Sequence, residues 1–150
     1  MSAPVSAEVV TATVVQADVQ RSHELAEKFV AFLETGDAPA GLFAPDVFCD
    51  FTMPTWRLQS SGIEDLVAMR KAGHPGTGRV PRWRFDPTPT GFVLEFDEDW
   101  DWDGDRWTSR EMIRADVAED GISQLAVYCT GDWSSAQRAA HATAVTLLRP

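Results

Sequence analysis

The feature that most constrains the fold is a hairpin predicted over residues 92–117, with Asp103 and Gly104 at its tip. A two-residue type I′ turn needs positive φ at both central positions, which an Asp-Gly dipeptide adopts readily. If these two residues form the turn, Trp102 pairs with Asp105 and every other cross-strand pair follows. The sequence therefore predicts two long antiparallel strands in a fixed register.

Side chains alternate along a strand, so this register separates the hairpin into two faces. One face is predicted to be largely apolar and comprises Phe92, Leu94, Phe96, Trp100, Trp102, Trp107, Ile113, Ala115 and Val117. The other face is predicted to be a solvated ladder that pairs Asp97 with Arg110, Asp99 with Thr108 and Asp101 with Arg106.

Two carboxyl groups, Glu98 and Glu111, fall on the apolar face as diagonal neighbours, with Cβ atoms about 7 Å apart. Each acid raises the proton affinity of the other, and burial raises it further, so one can stay protonated near neutral pH. The pair would place an acid and a base within reach of one small molecule. The alternative is that the face is only partly covered, or that an Arg or a Trp N–H satisfies each acid.

The same stretch also matches the opening of a calcium-binding EF-hand loop, with Asp99, Asp101 and Asp103 at alternate positions before Gly104. The twelfth position of such a loop should be Glu, but here it is Arg110. The flanking segments alternate as strands do rather than as helices do. We therefore expect no metal site and no cofactor, only weak cation binding at the tip.

Length and charge limit the classes of function. A chain of 150 residues with 44% hydrophobic content is typical of one globular domain with a sizeable core. The net charge of −10 argues against nucleic acid and against anionic membrane surfaces as partners. No apolar segment approaches the ~18–20 residues that span a bilayer.

Residues 1–20 are predicted to be an N-terminal extension, and residues 21–150 a single domain. The extension lacks the basic start and the uninterrupted apolar core of a signal peptide. The two cysteines, Cys49 and Cys129, form no CxxC motif, which favours reduced thiols and a cytoplasmic location.

Periodicity predicts the remaining elements. Helices are expected at about 23–35, 37–43, 61–73 and 135–148, and strands at about 47–53, 55–60, 79–86 and 122–130. Ser22 is the predicted N-cap of the first helix, and the Ser61-to-Glu64 and Ser134-to-Gln137 spacings are capping-box patterns.

Further candidate site residues lie outside the central pair of acids. Asp50 would join the pocket if it faces inward, but the alternation of its strand leaves either face open. His74 is either a functional residue at the pocket rim or a solvated loop histidine. The other candidate substrate-binding residues are Trp56, Trp83, Phe85, Phe96, Trp100, Trp107 and Cys129. Such an aromatic wall suits a hydrophobic substrate.

The order and spacing of several segments resemble the nuclear transport factor 2-like superfamily, most closely the SnoaL-like polyketide cyclases. The segments are the amphipathic helix 24–34, the sequence Phe43-Ala44-Pro45-Asp46-Val47, the helix start at 61–64 and the strand 121–128. The resemblance covers residues 22–133 and extends to ketosteroid isomerase and limonene epoxide hydrolase. It implies an α+β fold, in which a cone-shaped, curved, mixed or antiparallel sheet is wrapped by three N-terminal helices, with a C-terminal helix added. It also implies a homodimer formed through the outer face of the sheet.

Few functional residues of these relatives find a match here. The inward acid on the last strand of the epoxide hydrolases corresponds to Leu125 or Val127, and the tyrosine of the steroid isomerases has no counterpart, since the one tyrosine is Tyr128. The isomerase base would fall near Met53, with Asp50 close by. The match that remains is an inward acid on the long central strand, Glu98 in this chain.

Two functions follow from these expectations. The first is a cofactor-independent enzyme that uses Glu98 and Glu111 for acid–base chemistry on a polyketide-like or terpenoid-like substrate. Cyclisation, isomerisation and epoxide opening all suit such a pair. The second is a non-catalytic ligand-binding or assembly module of the same fold.

Overall fold

A computed structural model describes residues 18–150 as one mixed sheet with three helices. The elements are α1 (Val19–Thr35), β1 (Phe43–Met53), β2 (Trp56–Ser61), α2 (Ile63–Gly73), β3 (Gly78–Thr88), β4 (Gly91–Trp102), β5 (Asp105–Ala118), β6 (Gly121–Cys129) and α3 (Ser135–Ala144). The strand order is β2-β1-β6-β5-β4-β3, in which β1 and β6 are parallel and the other neighbours antiparallel. This confirms the predicted α+β fold.

The central hairpin has the predicted register throughout. Asp103 and Gly104 have φ values of 51° and 73°, and Trp102 pairs with Asp105. Phe96 pairs with Glu111, and Glu98 with Ser109, so the two acids are diagonal neighbours. Trp102 lies on the expected face but is 53% exposed, because the hairpin tip extends beyond the core.

The core lies between α1 and the concave face of the sheet. The helix packs on β3 and β4 and buries an apolar stripe of Leu25, Phe29, Phe32 and Leu33. The side chain of Asp18 caps its start by accepting hydrogen bonds from the backbone N–H groups of Gln20 and Arg21. The helix therefore begins one turn earlier than expected, and the predicted cap residue, Ser22, is buried within it.

The helix predicted at 37–43 is not formed. The segment turns, with Leu42 N–H donating to the Pro39 carbonyl, and β1 begins at Phe43. The Leu42 carbonyl accepts a hydrogen bond from Ile122 N–H, and Phe43 pairs with Ile122. Pairing with β6 therefore overrides the local helical pattern.

Two further boundaries differ from the prediction. At the start of α2, Ser61 remains in β2, and Gly62 with φ of 88° precedes the helix without a side-chain cap. The capping box at Ser134 and Gln137 is formed, but α3 ends at Ala144 and buries none of its residues.

The first 17 residues, which make up most of the predicted N-terminal extension, lie outside the part described. The expected end of the extension, at residue 20, falls inside α1. Within the described part, no helix has both the length and the apolar content needed to cross a membrane.

Candidate active site

An apolar pocket lies between the two N-terminal helices and the concave face of β1, β5 and β6. It contains about 540 Å³ of empty space, its opening to solvent included. Its apolar lining comes from three sources, namely α1 (Phe29, Phe32, Leu33), α2 (Leu66, Met69) and the sheet (Cys49, Phe51, Leu125, Val127). Three charged or ionisable groups, Arg70, His74 and Glu111, interrupt this lining. Such a surface suits a largely hydrophobic small molecule that has a few polar atoms.

Glu98 is fully buried and bound by an arginine that the sequence interpretation missed. Arg70 Nη1 donates to Glu98 Oε2 at 3.1 Å, and Arg70 Nη2 donates to Glu98 Oε1 and, at 2.6 Å, to the Leu33 carbonyl. Burial alone would raise the pKa of Glu98, but the neighbouring His74 and the hydrogen-bonded Arg70 outweigh burial and lower the pKa to about 2. Glu98 is therefore a carboxylate at neutral pH.

His74 lies between two carboxylates at the end of α2. Its Nδ1 is 3.6 Å from Glu98 Oε2, and its Nε2 is 3.7 Å from Asp132 Oδ1. The ring stacks on Trp100 with centroids 3.9 Å apart. Burial opposes the charged form, but Asp132 and Glu98 raise the pKa of His74 to about 8. The ring is therefore mostly cationic at neutral pH, and its stacking adds a cation–π contact.

Glu111 has a different environment from that of Glu98. Its Oε1 accepts a hydrogen bond of 2.9 Å from the Ser109 hydroxyl, and its side chain, in a residue that is 7% exposed, lines the pocket. Burial and then the negative charge of Glu98 raise the pKa of Glu111 to about 8. At neutral pH the pocket is therefore lined by a protonated carboxylic acid, and the ionised Glu98 lies next to it outside the lining.

The structure thus places the two predicted glutamates together, but only one of them lines the pocket. Arg70 lies beside Glu98, and it is Arg70 rather than Glu98 that lines the pocket. The predicted alternative, in which an arginine satisfies each acid, therefore describes Glu98 but not Glu111. Leu66, Arg70 and His74 are each four residues apart, a spacing that indicates one side of α2 and of its C-terminal end but not the contact of Arg70 with Glu98.

Neither a protein-family model nor a curated protein matches the sequence. Solved structures match over most of its length. A nuclear transport factor 2-like protein from Anabaena variabilis is 20% identical and has a TM-score of 0.63, with 76% of this chain and 90% of that chain covered. SalBIII, an epoxide hydrolase/cyclase-like enzyme of pyran ring formation in the polyether salinomycin, is 12% identical, with coverages of 77% and 98% and a TM-score of 0.62. A candidate polyketide cyclase from Xanthomonas campestris is 15% identical, with coverages of 73% and 90% and a TM-score of 0.59.

The chain has the nuclear transport factor 2-like fold.

Asp50 lies on the face of β1 opposite the pocket of this fold. Cys49 and Phe51 line the pocket, whereas Asp50 points outward and accepts a 2.8 Å hydrogen bond from Arg57 Nε. The sequence left open which face of β1 Asp50 lies on. Because Cys49 is buried and side chains alternate along a strand, Asp50 lies on the outer face. The structure does not bring Asp50 to the site, which corrects its assignment as a catalytic residue.

The predicted aromatic wall is not part of the described lining. Phe96 is buried in the core against Phe29, and Trp100 lies beneath His74. The others are spread over the molecule: Trp83 and Phe85 pack against His23 of α1, Trp107 Nε1 donates to the Trp102 carbonyl, and Trp56 is 66% exposed. The reason is that α1 crosses β3 and β4, so that half of the concave face becomes core and the pocket lies over the other half.

Cys129 lies beside the pocket acid. It pairs with Glu111 across β5 and β6, and burial followed by the charge of Glu111 raises the pKa of its thiol to about 12. The thiol is therefore protonated and acts as a soft, weakly polar neighbour of Glu111.

Within the acidic hairpin segment, Asp99 is satisfied by protein partners. Asp99 accepts hydrogen bonds from Arg106 and from the Thr108 hydroxyl, at 2.9 and 3.0 Å. Over residues 18–150, no cluster of three His, Cys, Asp or Glu side chains is arranged to hold a metal ion. The strand geometry of the tip also differs from the helix–loop–helix arrangement of an EF-hand.

Proposed function

We propose that this protein is a cofactor-independent enzyme that applies acid–base chemistry to a hydrophobic small molecule, with Glu111 as the proton donor. The observation that supports this most directly is a carboxyl group with a pKa of about 8 in a largely apolar pocket. A general acid works best when its pKa lies near the working pH, and burial is how proteins tune carboxyl groups to that range.

In the proposed reaction, Glu111 donates its proton to a substrate oxygen, either the carbonyl oxygen of an enone or the oxygen of an epoxide. The guanidinium of Arg70 lines the same pocket and would stabilise negative charge that develops on that oxygen. The fraction of His74 that is neutral near pH 8 would serve as the base. Assistance of this kind contributes typically ~10²–10⁴-fold, and positioning in the pocket must supply the rest.

Glu98 takes a different role from the one expected from the sequence. Its charge keeps the pKa of Glu111 high, and its oxygens orient Arg70 and His74. We therefore propose Glu98 as a positioning residue rather than as the proton donor.

The reaction class that we favour is cyclisation or epoxide opening on a polyketide-like or terpenoid-like substrate, with isomerisation as the next choice. It is supported by similarity in fold to a candidate polyketide cyclase and to an epoxide hydrolase/cyclase-like enzyme.

We also propose a cytoplasmic homodimer whose protomers, each a single domain over 21–150, meet through the outer sheet face. Exposed Met112 and Tyr128, 46% and 62% accessible, are paired neighbours on that face.

The test is turnover of a panel of hydrophobic epoxides and β,γ-unsaturated ketones by the wild-type protein and by Glu111→Gln. We expect the variant to lose about 10²–10⁴-fold in kcat on any substrate that the wild type converts. Glu95→Gln is the matched control, because this carboxylate of the outer face has a 41% exposed side chain and contacts Arg82 rather than the pocket. Equal loss in both variants, or none in Glu111→Gln, would contradict the proposed role.

A non-catalytic binding module is the second candidate. The charges of Arg70, His74, Glu98 and Asp132 offset one another, which is also what a purely structural ion network would do. This alternative predicts ligand binding without conversion over the whole panel, and equal affinity in wild type and Glu111→Gln.

A further inference from the structure

The pocket floor continues as an apolar surface toward the edge strand β2. Antiparallel partners share a face, so Trp56, Leu58 and Ser60 of β2 lie on the same face as their partners Met53, Phe51 and Cys49. Two of these partners, Cys49 and Phe51, line the pocket. Trp56 and Leu58 thus belong to the concave face, although they are 66% and 38% exposed.

A first row of side chains crosses the sheet from the acid to this edge. Glu111 pairs with Cys129, and Met53 pairs with Trp56. Since Thr52 pairs with Tyr128 in the parallel ladder, the residues that follow them, Met53 and Cys129, lie side by side. After Glu111 the row consists of a thiol, a thioether and an indole, all soft or apolar surfaces.

A second row runs beside the first and is apolar throughout. It comprises Ile113, Val127, Phe51 and Leu58, each paired with the next. Exposure rises along it from 1% at Ile113 and 6% at Val127 to 38% at Leu58. The two rows form one continuous surface, buried at Glu111 and open at β2.

We propose that the substrate is elongated, with its acceptor oxygen at Glu111 and an apolar body that extends across β6 and β1 onto Trp56 and Leu58. This rests on the proposed function of Glu111. Three spacings between neighbouring strands separate the acid from Trp56, so the molecule would reach about 14 Å across the sheet. Beyond Glu111 no side chain in either row is charged, so the far end of the substrate is apolar. This continuity with the pocket favours a substrate over a second copy of the chain as the occupant.

The probe is a series of unbranched methyl ketones from butanone to undecanone, with binding measured by titration calorimetry. In wild type, affinity should rise about two- to fourfold per added methylene group, the gain expected from partial to full burial. In the double variant Trp56→Ala/Leu58→Ala, butanone should bind as in wild type, whereas undecanone should bind at least tenfold more weakly. Both side chains are exposed, so the melting temperature should change little.

Tyr128→Ala is the control, since Tyr128 is an exposed aromatic on the opposite face, next to Cys129 in sequence. It should leave the whole series unchanged. A chain-length dependence that is the same in wild type and in the double variant would overturn the elongated site alone. If the double variant instead abolishes self-association in sedimentation and leaves ketone affinities intact, the surface is an interface between copies. Failure of every ketone to bind wild type would overturn the proposed function as well.

Discussion

At the scale of single residues, the site depends on two chemically identical side chains in unlike surroundings. Glu98 accepts hydrogen bonds from the guanidinium of Arg70, whereas Glu111 accepts one from the Ser109 hydroxyl. A carboxylate that gains charged donors is stabilised as the anion, and a buried carboxyl that lacks them keeps its proton. The pair therefore divides into an anion and an acid without any metal or cofactor being invoked.

The titration of Glu111 and His74 should make stability depend on pH. The pKa of Glu111 rises from 4.5 to about 8 on folding, and that of His74 from 6.5 to about 8. A raised pKa contributes stability that is complete below the unfolded value and is lost as pH rises through the folded value. We therefore expect the free energy of unfolding to fall as pH rises, most steeply from about 6.5 to 8.

Urea titrations across this range measure the effect, with Glu111→Gln as the comparison. The variant lacks one of the two groups, so its slope between pH 6.5 and 8 should be about half that of wild type. Identical slopes would mean that Glu111 is already ionised in the folded protein at neutral pH.

The pair of Arg70 and Glu98 should behave as a coupled unit in stability. Removal of one partner from a buried ion pair leaves an uncompensated charge and costs about 3–5 kcal/mol. We expect Glu98→Gln and Arg70→Met each to lower the free energy of unfolding by an amount of that order. The double variant should lose much less than the sum, as a double-mutant cycle in urea will measure. Additive losses would show that the two side chains do not depend on each other.

The sequence predicts one half of this site and not the other. Glu98 and Glu111 could be placed as neighbours because the Asp103–Gly104 turn determines the register and strands alternate with a period of two. Arg70 could not be placed, because its contact with Glu98 depends on how α2 packs over the sheet. That packing is a long-range property, absent from the local pattern of either element.

At the scale of elements, two glycines with positive φ determine how strands join, and they differ in what surrounds them. A Cβ at Gly104, with φ of 73°, would have no atom within 4 Å. A Cβ at Gly121, with φ of 132°, would lie 2.8 Å from the Leu42 carbonyl oxygen, where β6 begins beside β1. The first position is strained by conformation alone, and the second is also blocked by backbone.

Alanine at these two glycines should therefore have unequal effects. Gly104→Ala should cost about 1 kcal/mol, the usual penalty for left-handed backbone in a residue with a Cβ. Gly121→Ala should cost about 3 kcal/mol or more, since the parallel ladder must shift to make room. Thermal or chemical unfolding of the two variants measures the difference. A Gly121→Ala protein as stable as Gly104→Ala would contradict the close approach of β6 to Leu42.

Two of the segments that were predicted wrongly share one cause. Pro39 and the apolar residues Leu42 and Phe43 suggested a short helix, yet the ladder with β6 extends β1 back to Phe43. Ser61 and Glu64 suggested a capping box, yet pairing of Ser61 with Phe48 keeps it in β2. In both cases a long-range strand pairing outweighed a local helical signal, which is why propensity is a weak guide at element boundaries.

At the scale of the whole molecule, the position of α1 decides which aromatic residues are core and which line the pocket. Because α1 crosses β3 and β4, Phe96 becomes core, and Trp83 with Phe85 packs on the helix. The pocket then lies over β1, β5 and β6. The sequence predicted an apolar concave face correctly but could not show which half of it a helix covers.

The most direct test of the proposed acid–base chemistry is the pKa of Glu111 in the folded protein. Side-chain carboxyl carbons of glutamate, labelled with ¹³C, can be followed by NMR over a pH titration, with Glu111→Gln to assign the signal. We expect this carboxyl to titrate near pH 8 and Glu98 to stay ionised down to about pH 2. A midpoint for Glu111 near its ordinary 4.5 would mean that the pocket contains a carboxylate at neutral pH, and Glu111 could not be the proton donor.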